Sequence, residues 1–86
     1  MEIKDIVENA RKKLVELTGF TSPSAIGVSK EGETWQIIIE ITEKPSQASN
    51  LEVIGIYEVH LDVDGNLLGY KRKSMRKRGD IQRESI

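Results

Sequence analysis

Apolar residues recur at spacings of three and four over the start of the chain, at Ile3, Ile6, Val7, Ala10, Leu14 and Leu17. That spacing predicts one stripe of an amphipathic α-helix. The acids Glu2, Asp5 and Glu8 fall early and Arg11, Lys12 and Lys13 fall late, the order that the helix dipole favours. Glu8 and Lys12 also form an i,i+4 pair in the better orientation. Gly19 follows Thr18 as a natural left-handed terminator, and Phe20 can fold back onto the last turn.

Beyond Ser22-Pro23-Ser24, a connector that cannot continue the helix, the period changes from 3.6 to 2. Residues 25–30 predict a short strand and residues 30–33 a turn. Residues 34–43 then alternate, with Trp35, Ile37, Ile39 and Ile41 on one side and Thr34, Gln36, Ile38, Glu40 and Thr42 on the other. Residues 44–50 read as a polar loop. Another alternating run places Val53, Tyr57, Val59, Leu61 and Val63 on one face, and Asp64-Gly65 signals a hairpin into a return strand over residues 67–73. A two-residue turn there would pair Leu61 with Leu68, Val59 with Tyr70 and Tyr57 with Arg72, and would set Glu58 opposite Lys71. A shift of one residue would break that charge match, so this register is preferred.

The predicted fold class is therefore α+β: one N-terminal helix packed on a three- to four-stranded antiparallel sheet, followed by a basic C-terminal tail. Residues 1–78 form one domain in this reading and residues 79–86 a flexible tail. The helix stripe is expected on the odd-numbered face of the sheet. One helix covers one face only, and the other carries Gln36, Ile38, Glu40, Ile54, Ile56, Glu58 and His60. If Ile38 neighbours Ile54 or Ile56, they form an exposed patch of the kind that marks contacts. The plainer reading is that β-branched residues suit a pleated surface.

The chain has 86 residues, which allows one domain with a modest core that buries about 60% of the unfolded surface. It has no cysteine, so disulfides and thiolate metal sites are excluded. The longest unbroken apolar run is Ile37-Ile38-Ile39, far short of a membrane span, and the charged start does not suit a signal peptide. A soluble, cytoplasmic protein is expected. The net charge of −1 hides a division: residues 1–70 sum to −6 and residues 71–86 to +5. A basic end on an acidic body suggests an anionic surface to meet, either a partner or the body itself; the bland alternative is a solvated end.

Catalytic chemistry finds little support. His60 is the only histidine, and no nucleophile elbow accompanies it. The run Asp62-Val63-Asp64-Gly65 superficially resembles a calcium loop, but the sixth and twelfth positions hold Leu67 and Lys73 instead of glycine and glutamate. Gly65 and Gly69 lie in a hairpin and precede no helix, so no phosphate loop is present. No enzyme, cofactor or metal is expected. Six of the eight residues at 71–78 are cationic, which raises nucleic-acid binding. No aromatic residue follows Tyr70 for base stacking, and the acidic body would repel a polyanion.

Trp35 followed by Glu40 and Glu43, then Tyr57-Glu58-Val59, Asp62, Asp64-Gly65, Tyr70 and Arg72, resembles the gas-vesicle protein O family over about residues 10–78. The family tends to carry an Arg-Ile-Pro-like segment where this chain has Ser46-Gln47-Ala48, and Arg-Tyr where Met75-Arg76 stand. The resemblance implies a non-enzymatic accessory protein of gas vesicle formation. Its implied partners are other gas vesicle proteins, including the shell protein and an accessory ATPase. A homodimer through the second face is left open, and no membrane partner is expected. The candidate contact residues are Ile38, Ile54, Ile56, Tyr57, Glu58, Lys71, Arg72, Lys73, Arg76, Lys77 and Arg78. The alternatives are a regulatory or nucleic-acid-binding module using the basic segment, or a small inhibitor-like or sensor domain of cystatin-like build.

Overall fold

The computed structural model describes residues 2–44 and 52–77, at 77 the backbone alone. One helix, α1 (Ile3–Thr18), precedes four strands: β1 (Thr21–Glu31), β2 (Thr34–Lys44), β3 (Val53–Asp62) and β4 (Leu67–Lys77). The strands form one antiparallel sheet in the order β1-β2-β3-β4, so each pairs with its neighbour in the chain.

The helix ends where the sequence predicts. At its start the Glu2 N–H donates to the Asp5 carboxylate at 3.3 Å. At its end Gly19 takes φ 75° and its N–H donates to the Val15 carbonyl. Ile6, Ala10 and Leu14 then meet Ile37, Ile39, Ile41, Tyr57, Val59 and Leu61, so the core lies on the odd-numbered face as expected. Each fully buried aliphatic side chain contributes roughly 1.5–3 kcal/mol. Two polar ties hold the flanks of the helix: Asn9 Nδ2 donates to the Gly65 carbonyl at 2.5 Å and Arg11 Nε to the Pro23 carbonyl at 3.3 Å. The helix lies over β1, β2 and β3.

Two expected boundaries shift. Ser22-Pro23-Ser24, read as a connector, belongs to β1. Strand β1 lies at the edge of the sheet, where proline is tolerated, and register shifts between Thr21 and Ser24 and between Ala25 and Gly27 absorb the irregularity. The basic segment does not leave the sheet at Lys73, because β4 runs to Lys77 and pairs Met75 with Gly55, Arg76 with Ile54 and Lys77 with Val53. The expected polar loop from residue 45 onward, and the tail at 79–86, lie outside the described residues.

The β3–β4 hairpin shows how the predicted register survives a different turn. Leu61 pairs with Leu67 instead of Leu68, because the connection spans residues 63–66. Asp62 builds that connection: its Oδ1 accepts the N–H groups of Asp64 and Asn66, each at 2.9 Å, while Gly65 takes φ 85°. A bulge at Leu68 then restores the expected pairs, His60 with Gly69, Val59 with Tyr70, Glu58 with Lys71 and Tyr57 with Arg72. The Asp62 carboxylate, which in isolation suggested a cation loop, is thus engaged with the amides of its own turn.

Two glycines of the sheet make opposite predictions. A Cβ on Gly55 would collide with the Glu43 carboxylate and come within 2.8 Å of the Tyr57 ring, whereas one on Gly69 would meet nothing within 4 Å. Gly55→Ala should cost about 1–3 kcal/mol in urea denaturation through overpacking. Gly69→Ala should stay within about 0.5 kcal/mol of the parent. Equal midpoints for the two variants would refute this account of the packing around Tyr57.

Candidate interaction face

The sheet face away from α1 is organised around an acid. Glu58 sits on β3, an inner strand, and is only 7% exposed. Its register partners are Ile38 on β2 and Lys71 on β4. Gln36 Nε2 donates to Glu58 Oε2 at 2.5 Å, and His60 Nε2 lies 3.0 Å from Oε1. Farther out, Lys71 Nζ stands 3.7 Å from Oε1 and Lys73 Nζ 3.7 Å from Oε2. Lys73 reaches this carboxylate because it is the extra residue of a bulge between the pairs Tyr57–Arg72 and Ile56–Ser74.

A second bridge crosses the same face. Arg76 on β4 donates to Glu40 on β2 at 2.5 Å, spanning β3 at the level of Ile54 and Ile56. Ile38 and Ile56 are half-buried and are diagonal neighbours, since Ile38 pairs with Glu58 and Ile56 with Glu40. Ile54 corrects the expectation of a three-isoleucine patch. It is 3% exposed, flanked by its partners Thr42 and Arg76, and so lies outside the open surface.

The other expected contact residues separate from this group. Tyr57 is 7% exposed and belongs to the core on the helix-bearing face. Arg72 lies on that face too, where it makes a bidentate pair with Glu43: Nε to Oε2 at 3.0 Å and Nη2 to Oε1 at 2.5 Å. The Tyr57 hydroxyl donates to Glu43 Oε2 at 3.1 Å. Burial, helped by that carboxylate, pushes the Tyr57 hydroxyl pKa above its ordinary value, and Glu43 pushes the Arg72 pKa upward. Tyr57 and Arg72 therefore serve as an internal clamp, not as a rim of the second face. Only the backbone of Lys77 is described, in β4, and Arg78 lies outside the described residues.

Sequence reading missed the parts played by Glu43, Gln36 and Asp62. Glu43 falls where the β2–β3 register shifts between Thr42 and Lys44, and such a bulge redirects a side chain. Its signal was a lone acid at the end of an alternating strand, two positions beyond Ile41, with a glycine at 55 to make room. Among the described residues no group of three or more histidines, cysteines or acids is placed to hold a metal, and no helix is long and apolar enough to cross a membrane.

The His60 contact holds the Glu58 carboxyl below its ordinary value of 4.5 against the opposing effect of burial, with Gln36, Lys71 and Lys73 adding to the depression. Asp62 is likewise held below 3.8, chiefly by the Asn66 N–H. With both values depressed on folding, the unfolded chain binds more protons in acid. The stabilisation is fully present well above the ordinary values and is lost as pH falls through the folded-state values. Glu58→Gln should therefore give a shallower decline of the urea midpoint between about pH 5 and pH 3, with the Asp62 share remaining. An acid limb as steep as the parent's would contradict the network.

The chain matches the family model described as gas vesicle synthesis protein GvpO over residues 1–82. It is 28% identical over 83 residues to gas vesicle protein O of Haloferax mediterranei, covering 95% of this chain and 59% of that protein. It is 30% identical over 78 residues to gas vesicle protein O of a Streptomyces strain, covering 91% and 61%. Gas vesicle protein O1 of Halobacterium salinarum is 28% identical over 75 residues, covering 87% and 63%. The chain thus spans about three-fifths of the length of these relatives. No solved structure matches. With a family match that runs from the start of α1 through all four strands, this chain belongs to the gas vesicle synthesis protein O family.

Proposed function

We propose that this chain is a non-enzymatic accessory factor of gas vesicle formation that acts by holding other gas vesicle proteins. The family description names gas vesicle synthesis, and the docking surface in this reading is the sheet face that α1 leaves uncovered. The observation that carries it is the pairing of half-buried Ile38 and Ile56 with the polar cluster of Glu58, Lys71 and Lys73. An apolar centre with a charged surround is the usual anatomy of a specific protein contact. The partners in this reading are the shell protein and an accessory ATPase, met in the cytoplasm.

A nucleic-acid role draws less support from the same geometry. The two arginines of β4 with described side chains, which such a role would need, are engaged with protein acids: Arg72 with Glu43 and Arg76 with Glu40.

The test is capture of purified gas vesicle proteins by the chain carrying Ile38→Lys with Ile56→Lys. Capture should fall by an amount equivalent to about 2 kcal/mol or more, the level of an interface hot spot. Circular dichroism and the urea midpoint should stay near those of the parent. Because both positions are half-buried, Ile38→Thr with Ile56→Thr provides a milder pair that keeps the β-branched shape. If a folded variant of either pair retained every partner, the uncovered face would not be the docking surface.

A further inference from the structure

We infer that the second face is built for an acidic, aliphatic segment of a protein partner, which places one aliphatic side chain in a hollow at Gly69 and a carboxylate between Lys71 and Lys73. This rests on the docking reading above and states the chemistry of what docks. The hollow is an open recess of about 360 Å³ lined by Thr34, His60, Leu68, Gly69, Tyr70 and Lys71. It exists because Gly69 stands opposite His60 and presents no side chain, with open space where a Cβ would lie. Leu68, displaced by the bulge, gives it an exposed apolar wall.

The lysines supply the charge argument. Both oxygens of Glu58 already have nearer partners, Gln36 at 2.5 Å and His60 at 3.0 Å. The two ammonium groups stay at 3.7 Å, beyond hydrogen-bond reach, with side chains 69% and 48% exposed. Each ammonium has three donors, so two cations over one carboxylate leave an excess of positive charge and donors turned to solvent. An incoming carboxylate complements that excess.

Two observations favour a protein acid over a nucleic-acid phosphate. Residues 1–70 carry a net charge of −6, which repels a long polyanion. The aromatic side chains are also on the wrong side for base stacking. Trp35, Tyr57 and Phe20 belong to or pack against the core, and the exposed Tyr70 turns its ring toward that of Tyr57, 6.3 Å away and tilted by 39°.

The test uses two capped synthetic peptides, one alternating leucine and glutamate and one alternating leucine and glutamine, titrated into the full chain and followed by amide chemical shifts. The glutamate peptide should bind at least ~10-fold more tightly and lose that advantage as salt rises. It should shift the amides of Gly69, Lys71 and Lys73. Lys71→Gln with Lys73→Gln should remove the preference for glutamate. Gly69→Leu, which has room for a side chain, should block the hollow and weaken both peptides while the fold is kept. Equal affinity for the two peptides, tighter binding of a single-stranded oligonucleotide, or self-association that the lysine variant abolishes would each overturn the inference. If the isoleucine variants lose gas vesicle partners while the lysine and Gly69 variants keep them, the docking reading stands and this refinement falls. If none of the variants loses a partner, both fall.

Discussion

A pleated sheet has two faces, and a single amphipathic helix can dry only one of them. Ile6, Ala10 and Leu14 are the buried helical contribution to the core, with Val15 packed against it, and the aliphatic residues Ile37, Ile39, Ile41, Val59 and Leu61 answer from the sheet. The opposite face must therefore remain compatible with water while lying over β2 and β3, the two inner strands. Its solution is to thread ion pairs across the strands. Glu58 gathers hydrogen bonds from β2 and β3 and two nearby ammonium groups from β4, and Glu40 reaches Arg76 over the intervening strand. The same device appears once on the helix side, where Glu43 clasps Arg72 over Gly55. Exposed ion pairs contribute little individually. Their value here is geometric, because each fixes the lateral position of β4 against the rest of the sheet.

This arrangement explains why the basic strand is an edge strand. β4 has a neighbour on one side only, and a long uncharged edge invites further pairing. Lys71, Arg72, Lys73 and Arg76 guard it, and bulges at Leu68 and Lys73 twist it. The cations that looked like a detached electrostatic arm are thus anchored to acids contributed by β2 and β3.

Much of this was legible in the residues themselves. The three-and-four spacing of α1, its glycine terminator and the period-2 runs of β2 and β3 fixed elements, faces and the pairs Val59–Tyr70, Glu58–Lys71 and Tyr57–Arg72. What escaped had a common cause. A bulge adds a residue without a compositional signature, so the reach of Lys73 to Glu58, the turning of Glu43 and the displacement of Leu68 could not be read from alternation alone. Ile54 was misjudged for a related reason. Parity assigned it to the uncovered face, but parity does not reveal the long Arg76 side chain beside it. Asp62 was weighed only within a calcium loop and set aside, and its turn-building role went unread, since a carboxylate that accepts local amides and one that awaits a cation look alike in sequence.

The nearest-neighbour strand order has a temporal side. Each strand after β1 finds a partner in the strand synthesised just before it, so loop-closure entropy stays small at each step and the sheet can zip progressively. The helix is the exception. It is made first, yet most of its apolar partners come from β2 and β3, and its Asn9 side chain is matched only by the carbonyl at Gly65, 56 residues downstream. The helix also rests on β1, its neighbour in sequence, while its Asn9 tie ends on a carbonyl in the final connection, so one bond links the first element made to the last turn.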